Sequence, residues 1–108
     1  MKLYAVLVLA SLSFGLARAE TGRVSYYSEG TRTASGERLN RSGNTCAHRR
    51  HPFNSLLRVT TRVGTVVCRV NDRGPFVRGR VLDVVKGLAA PLGLLHAGVL
   101  PATVVRVQ

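Results

Sequence analysis

The chain begins with the pattern of an export signal, and this restricts the folded part to a short stretch. A positive start, Met1-Lys2, precedes an apolar run over residues 3–16, and residues 17–19 have the A-x-A form of a signal peptidase site. A membrane-spanning helix needs about 20 apolar residues, whereas this run has 14. We therefore predict a signal peptide at residues 1–19, cleaved after Ala19, with no membrane anchor left after cleavage.

Cleavage removes 19 of the 108 residues and leaves 89, enough for one small domain at residues 20–108. Such a domain has a modest core and gains from a covalent link. Export permits a disulfide, and we predict that the two cysteines, Cys46 and Cys68, form one. A zinc site made from them with His48 and His51 is the alternative. Its spacing fits no usual zinc pattern, so we expect no metal.

The chain is strongly basic, with 16 Lys and Arg residues against 5 Asp and Glu. Without Lys2 and Arg18 the mature part keeps 14 against 5, a formal charge of +9. Such a charge attracts polyanions. Export argues against nucleic acid, and the aromatic residues are not interleaved with arginine as a base-stacking surface requires. Cell-wall polymers and lipid head groups remain, and arginines that serve only solubility are the alternative.

Short runs rich in valine and threonine predict an all-β domain. Strands are expected at residues 23–27, 56–61, 65–71, 80–83 and 102–107. Residues 28–44 are rich in Gly, Ser, Thr and Arg and predict a surface loop. The turn Arg62–Gly64 pairs the second strand with the third, and Gly74-Pro75 breaks the third. Many short strands in so few residues favour a small closed barrel.

One helical segment is expected between the last two strands. Residues 84–90 form one or two turns in this interpretation, and Pro91 ends them. The helical spacing directs four apolar side chains inward, namely Val84, Val85, Leu88 and Ala89.

Four short motifs occur together in one order. They are Thr33–Glu37, Cys46–Arg49, Arg69–Phe76 and Gly79–Asp83. With these motifs the chain resembles the RlpA-like (rare lipoprotein A) double-psi β-barrel family over residues 22–107. The resemblance implies a six-stranded double-psi barrel, related in architecture to expansins and family 45 endoglucanases. It also implies a lytic transglycosylase acting on peptidoglycan, with a preference for glycan strands stripped of stem peptides.

The resemblance also implies site residues. The family's catalytic acidic residues correspond to Glu37 and Asp72, and its histidine corresponds to His48. Asp83 matches the position of a functional aspartate in expansin-like barrels. The chain departs from the family where Tyr26-Tyr27 replaces the usual Trp-Tyr, and where His-Pro-Phe-Asn at residues 51–54 replaces Leu-Pro-Phe-Gly.

The residue types agree with this chemistry. Of the five acidic residues, Glu20 lies at the new N-terminus and Glu29 in a polar loop, which leaves Glu37, Asp72 and Asp83 beside structured segments. Cleavage of a glycosidic bond needs an acid for the leaving oxygen and a base for the attacking group. In a transglycosylase the attacker is the substrate's own C6 hydroxyl, so one carboxyl group serves as acid and then as base. No metal or organic cofactor is expected.

Each candidate also has a structural interpretation. Asp72 lies in Asn-Asp-Arg-Gly-Pro, a sequence typical of turns. Glu37 follows Ser-Gly and suits a solvated loop, and His48 suits a partly buried histidine with satisfied hydrogen bonds. Asp83 precedes the predicted helix, where aspartate favours the N-cap position.

Substrate contacts are expected from four further residues. Arg73 is next to Asp72, where its charge would lower the pKa of that carboxyl, and with Arg78 it would steer an anionic strand. Tyr26 and Tyr27 offer a face to a sugar ring, and half-buried packing is the alternative for both.

Two classes of function remain from the sequence alone. The first is a monomeric periplasmic or secreted lytic transglycosylase, whose partner is the glycan strand of peptidoglycan. The second is a non-catalytic wall-binding or expansin-like wall-loosening module. A full acidic set favours the first, and the small size and arginine content are compatible with the second.

Overall fold

The structure, a computed structural model, describes residues 18–108. Residues 1–17 of the predicted signal peptide lie outside the described residues, so the signal peptide stays a prediction. In the described part of the chain, no helix has the length and apolar character needed to cross a membrane.

Six strands close into a barrel, which confirms the expected fold class. The strands are β1 (Ala19–Tyr27), β2 (Thr45–Ala47), β3 (Leu56–Thr60), β4 (Thr65–Asp72), β5 (Arg80–Val85) and β6 (Val99–Arg106). Around the barrel their order is β1-β5-β2-β4-β3-β6. β1 pairs with β5 and β2 with β4 in parallel, and the other neighbours are antiparallel. This arrangement is the double-psi barrel that the motifs imply.

Alternating side chains fill the barrel. On β3, Leu57 and Val59 are fully buried and Arg58 between them is exposed. On β6, Leu100 and Val104 are buried by the same alternation. Because successive side chains of a strand point to opposite faces, each strand contributes one face to the interior. The expected pairing of β3 with β4 is confirmed, with Thr60 opposite Thr65 beside the turn.

β5 is longer than predicted, and the expectation of a helix beginning at Val84 is wrong. Val84 and Val85 belong to β5 and lie opposite Tyr26 and Tyr27 of β1. Val84 also lies opposite Cys46 of β2. A β-branched residue between two neighbouring strands packs well on the pleated surface. Pairing on both sides therefore overrides the helical spacing of the apolar residues.

Two short helical segments follow β5. A 3₁₀ helix spans Lys86–Leu88, and one α-helix, α1, spans Leu94–Ala97. Ala89 is buried and Leu88 packs against the core, as the sequence predicts. Pro91 lies in the turn between the two helical segments. α1 was not predicted.

The polar segment 28–44 is irregular, as expected. Between its ends the structure has one isolated bridge, Arg32 with Arg38. Leu39 is 8% exposed and packs the segment onto the barrel. β2 directly after it was not predicted, because all three of its residues are buried and so short a strand shows no alternation.

Cys46 of β2 and Cys68 of β4 form the predicted disulfide, with 5.8 Å between their Cα atoms. Both residues are fully buried. Their sulfur atoms are bonded to each other, so the alternative zinc site built on the two cysteines is excluded. The bridge joins the shortest strand of the barrel to the strand that carries Asp72.

We expect the double substitution Cys46→Ala with Cys68→Ala to lower the free energy of unfolding by about 3 kcal/mol, because the unfolded chain loses a cross-link. Urea unfolding of the oxidised wild type and of the variant measures the difference. Reduced wild type serves as the control and should match the variant. Equal unfolding midpoints for the oxidised protein and the variant would contradict a stabilising role.

Candidate active site

Two aspartates lie in one row across the sheet. Ala47 of β2 is opposite Asp83 of β5 on one side and opposite Asp72 of β4 on the other. Ser25 of β1 is opposite Asp83 and continues the row. Residues paired directly across strands share a face of the sheet, so both carboxyl groups lie on the same side. The small side chain of Ala47 leaves space between them.

This row opens into a cleft of about 290 Å³. We call it the acidic cleft and define it by Tyr27, Asp72, Asp83 and the segment 73–77, all of which line it together with Ala47 and Arg80. β4 ends at Asp72. Gly74 has a φ of 118°, and a Cβ atom there would approach the Phe76 ring to 3.4 Å. Glycine therefore suits both the backbone and the packing at this position.

The carboxyl group of Asp72 is held by three donors. Its Oδ1 accepts the backbone N–H groups of Ala34 and Arg73, both at 2.9 Å. Its Oδ2 accepts the Tyr27 hydroxyl at 3.4 Å. The interpretation of Asp72 as a turn residue that accepts backbone N–H groups is thus correct for Oδ1. Oδ2 faces the cleft with a single protein donor, which leaves it room for a substrate hydrogen bond.

Tyr27 remains a hydrogen-bond donor at ordinary pH. Burial raises the pKa of its hydroxyl, and the nearby carboxyl groups of Asp72 and Asp83 raise it further. Tyr27 lines the cleft and is half-buried, and its expected contact with a sugar ring stays a prediction. Tyr26 packs partly against the core cluster, as the packing alternative predicts.

Asp83 takes part in the cleft and not in a helix cap. Its Oδ1 accepts a hydrogen bond from the Ser25 hydroxyl. The helical segment begins later, at Lys86, and its N-cap, Val85, has no side-chain cap bond. The N-cap interpretation of Asp83 is therefore wrong, because pairing with β1 and β2 keeps residues 83–85 in the strand.

Glu37 is bound by an arginine next to the cleft. Its carboxylate accepts two hydrogen bonds from Arg69, at 2.8 and 2.9 Å, and one from Asn71 at 3.2 Å. The hydrogen bonds from Arg69, followed by the one from Asn71, lower the pKa of Glu37 to about 2. The structure therefore brings Glu37 beside β4 but gives it a partner other than Asp72.

The motif that carries Glu37 is nevertheless attached to Asp72. Ser35 donates its backbone N–H to the Asn71 carbonyl at 3.1 Å, and Ala34 donates to the Asp72 carboxyl. Glu37 completes the attachment through its ion pair with Arg69 of β4. The first motif, Thr33–Glu37, is thus fixed to the end of β4, and we call this attachment the clamp.

The ring nitrogens of His48 form hydrogen bonds with groups other than the Asp72 carboxyl. His48 donates its backbone N–H to the Asp72 carbonyl at 3.2 Å, but its Nδ1 accepts the N–H groups of Arg50 and His51, both at 3.0 Å. Its Nε2 is 2.8 Å from Oε1 of Glu20. The expected carboxylate partner of His48 is therefore Glu20, and the interpretation as a buried, satisfied histidine is correct.

Glu20, His48 and His51 place one possible metal ligand each within 4.8 Å of one another. Because Nδ1 of His48 accepts two N–H groups, its proton resides on Nε2, which donates to Glu20. A metal on Nε2 would leave His48 without any ring proton. The donor set therefore does not fit a metal ion in this arrangement.

Arg73 supports a loop instead of pairing with Asp72. Its guanidinium donates to the carbonyl groups of His48 and His51, at 3.1 and 2.9 Å, and lies 4.0 Å from the centre of the Phe53 ring. Among residues 18–108 Arg73 forms no ion pair with Asp72, because these contacts hold its guanidinium elsewhere. Arg78 lies in the exposed turn before β5 and forms no ion pair in the described range.

Phe76 is the cleft residue that sequence reasoning missed. Its side chain is 77% exposed at the wall of the acidic cleft, and Val77 beside it is 54% exposed. An exposed aromatic ring is unusual in a chain with so few aromatic residues. The signal in the sequence was an apolar pair directly after Gly-Pro in a polar turn.

Two relatives have the RlpA name that the motifs suggest. The probable endolytic peptidoglycan transglycosylase RlpA of Nostoc sp. is 52% identical over 77 residues, which cover 69% of this chain and 21% of that protein. The endolytic peptidoglycan transglycosylase RlpA of Pasteurella multocida is 41% identical over 86 residues, which cover 75% of this chain and 29% of that protein. The chain thus spans less than a third of either relative.

Solved structures share the fold. The Streptomyces papain inhibitor has a TM-score of 0.71 at 22% identity, covering 84% of this chain and 96% of its own. The expansin of Clavibacter michiganensis has a TM-score of 0.70 at 23% identity, covering 84% of this chain and 51% of its own. At such identities the likeness shows the barrel alone.

A family model described as "Lytic transglycolase" matches residues 19–104, a range that begins with β1, ends within β6 and contains the whole acidic cleft. The chain therefore belongs to the lytic transglycolase family, within which its motifs are those of the RlpA-like proteins.

Proposed function

We propose that this domain is a lytic transglycosylase that cuts the glycan strands of peptidoglycan. The observation that carries the proposal is the row of Asp72, Ala47 and Asp83, which directs two carboxyl groups into one open cleft. Neither carboxyl group forms an ion pair with another residue in the range 18–108. The names of the RlpA relatives support the same substrate.

The reaction requires one proton to be donated to the bridging oxygen and one to be removed from the C6 hydroxyl of the substrate. The carboxyl group of Asp72 gives its proton to the bridging oxygen as the bond from C1 of the muramyl residue breaks. The resulting carboxylate then takes the proton of the C6 hydroxyl, which forms the new bond to C1. The product is a 1,6-anhydro sugar, and no water is consumed. Across the cleft, the negative charge of Asp83 stabilises the positive charge that develops at C1.

Two neutral groups shape the same cleft. The Tyr27 hydroxyl holds Oδ2 of Asp72 in place and stays protonated, so it orients the carboxyl without adding charge. Phe76 offers an exposed ring to the apolar face of a sugar, a contact that needs no particular hydroxyl pattern.

Glu37 has a positioning role in this proposal. With a pKa of about 2 it carries no proton to donate at neutral pH. Its ion pair with Arg69 keeps the first motif against β4, and that motif supplies the Ala34 N–H to Asp72. In place of the catalytic role that the resemblance implies, we assign Glu37 the role of holding the first motif, and with it the Ala34 N–H, against Asp72.

We place this activity outside the cytoplasmic membrane, in the periplasm or as a secreted protein. The predicted signal peptide and the wall substrate of the named relatives support that location. We further propose that the domain acts as a monomer.

The substitution Asp72→Asn should reduce cutting by at least ~100-fold, the low end for loss of a general acid or base. The variant keeps the shape of the side chain, so its melting temperature and its binding to purified sacculi should stay close to wild type. Mass spectrometry of released 1,6-anhydro-muropeptides measures cutting.

The matched control is Glu29→Gln, which removes one exposed carboxylate outside the cleft and should cut normally. Normal cutting by Asp72→Asn would disprove the assignment. Wall binding without any anhydro products from the wild type would instead indicate the non-catalytic binding module.

Glu37→Gln should change the pH dependence of stability. The folded pKa of about 2 lies below the unfolded value of 4.5, so the stabilisation from ionised Glu37 is fully present above that unfolded value. It is lost as the pH falls towards 2. Urea unfolding of both proteins at pH 6 and pH 3 should show a smaller difference at pH 3. A difference that is the same at both values would refute the low pKa.

Retention of the domain on sacculi should fall steeply as salt rises. The mature part has a formal charge of +9, and attraction between exposed charges is screened over about 10 Å at 0.1 M salt. Co-sedimentation with sacculi from low to molar sodium chloride tests this. Unchanged retention over the series would show that the basic surface is not needed for wall binding.

A further inference from the structure

A second concave site lies at the base of the loop that follows β1. It is an open pocket of about 330 Å³ lined by three arginines, Arg32, Arg38 and Arg41, together with Gly30, Thr31 and Leu39. We call it the arginine pocket. Three guanidinium groups around one concavity repel each other, and the proposed reaction makes no use of them.

Among residues 18–108, no acidic side chain forms an ion pair with an arginine of this pocket. In that range the ion pair is Glu37 with Arg69, and the hydrogen bond between His48 and Glu20 also lies outside the pocket. The guanidinium of Arg38 forms no hydrogen bond with any described residue. Its five N–H groups are therefore available to an external acceptor.

The other two arginines are held in position by backbone carbonyl groups. Arg32 donates through Nη1 to the Gly36 carbonyl at 3.0 Å. Arg41 donates through Nε to Ser28 and through Nη2 to Gly30, the latter at 3.4 Å. Carbonyl groups fix a guanidinium without cancelling its charge. The remaining N–H groups of both arginines are thus oriented before a ligand arrives.

The backbone beneath the pocket is also fixed. Leu39 is buried and donates its N–H to the Thr31 carbonyl at 2.9 Å, next to the bridge between Arg32 and Arg38. Gly87 donates to the Arg41 carbonyl at 2.7 Å and ties the loop to the barrel. The pocket is therefore a built feature of the fold, with an apolar floor and a cationic rim.

The pocket is close to the acidic cleft along the chain. Gly30 follows Tyr27 by three residues, so their Cα atoms are at most about 11 Å apart. The turn between Arg32 and Arg38 carries Ala34, whose N–H contacts the Asp72 carboxyl. The pocket is therefore within reach of a polymer that occupies the cleft, a few sugar units away.

We propose that the arginine pocket binds a carboxylate of the same wall strand that occupies the acidic cleft, an inference that rests on the proposed function. Guanidinium groups pair with carboxylates through two parallel hydrogen bonds, which a hydroxyl group cannot reproduce. A peptidoglycan strand offers this group in two forms. One is the lactyl carboxylate of a muramyl residue without a stem peptide, and the other is a carboxylate of the stem peptide itself.

The test measures binding in the Asp72→Asn background, so that strands stay intact. Arg38→Gln should weaken binding to soluble peptidoglycan strands roughly tenfold, the loss of one charge-assisted pair. Arg58→Gln is the matched control, because it removes the same charge from an exposed position on β3 and should have little effect. Three ligands are compared by calorimetry: peptide-free strands, peptide-bearing strands, and peptide-free strands with their carboxyl groups capped as methylamides.

Capping should abolish the difference between Arg38→Gln and its parent, which supports the proposal. A difference seen only with peptide-free strands identifies the lactyl carboxylate, and one seen only with peptide-bearing strands identifies the stem peptide. Equal losses for Arg38→Gln and Arg58→Gln, or a loss that persists with capped strands, would overturn it. Because the test measures binding and not cutting, its result can be interpreted even if the domain has no enzymatic activity.

Discussion

The architecture of the site depends on the pairing of β2 between β5 and β4. This strand has three residues, and each of them is buried. Cys46 joins it covalently to β4, and Ala47 holds Asp83 on one side and Asp72 on the other. So short a strand contributes few hydrogen bonds of its own, so the disulfide and the two flanking strands fix its register. A one-residue slip of β2 would turn its side chains to the opposite face and separate the two carboxyl groups from their common row.

The few carboxylates of this basic chain have distinct surroundings. Glu37 is held by Arg69 and Glu20 lies against His48, whereas Asp72 and Asp83 accept hydrogen bonds only from neutral donors in the described structure, namely hydroxyl and backbone N–H groups. Arg73 is the nearest cation in sequence, but two carbonyl groups and the Phe53 ring hold its guanidinium. Arg73 and Arg80 line the acidic cleft, but neither forms an ion pair with Asp72 or Asp83 in the described range, so both carboxyl groups stay open to the substrate.

The sequence predicts the fold better than it predicts the site. Alternation in β3 and β4 and the turn between them were visible, since each strand has one buried and one exposed face. β2 was hidden because it is buried on both faces, and the helix expected at Val84 was wrong because strand pairing outweighs local spacing. The motifs singled out Asp72 and Asp83, which line one cleft in the structure, but a motif gives no side-chain direction. His48 is adjacent to Asp72 through its backbone, while its ring binds Glu20. Phe76 was missed because an apolar residue in a turn has no alternating pattern that would show whether it is buried or exposed.

The loop between β1 and β2 connects the two sites mechanically. One of its turns donates the Ala34 N–H to Asp72, and its base forms the arginine pocket. Arg32 belongs to both, because it lines the pocket and donates to the Gly36 carbonyl in the turn. The same turn therefore carries a pocket arginine and the backbone donor to Asp72, and the ion pair of Glu37 with Arg69 fixes that turn against β4.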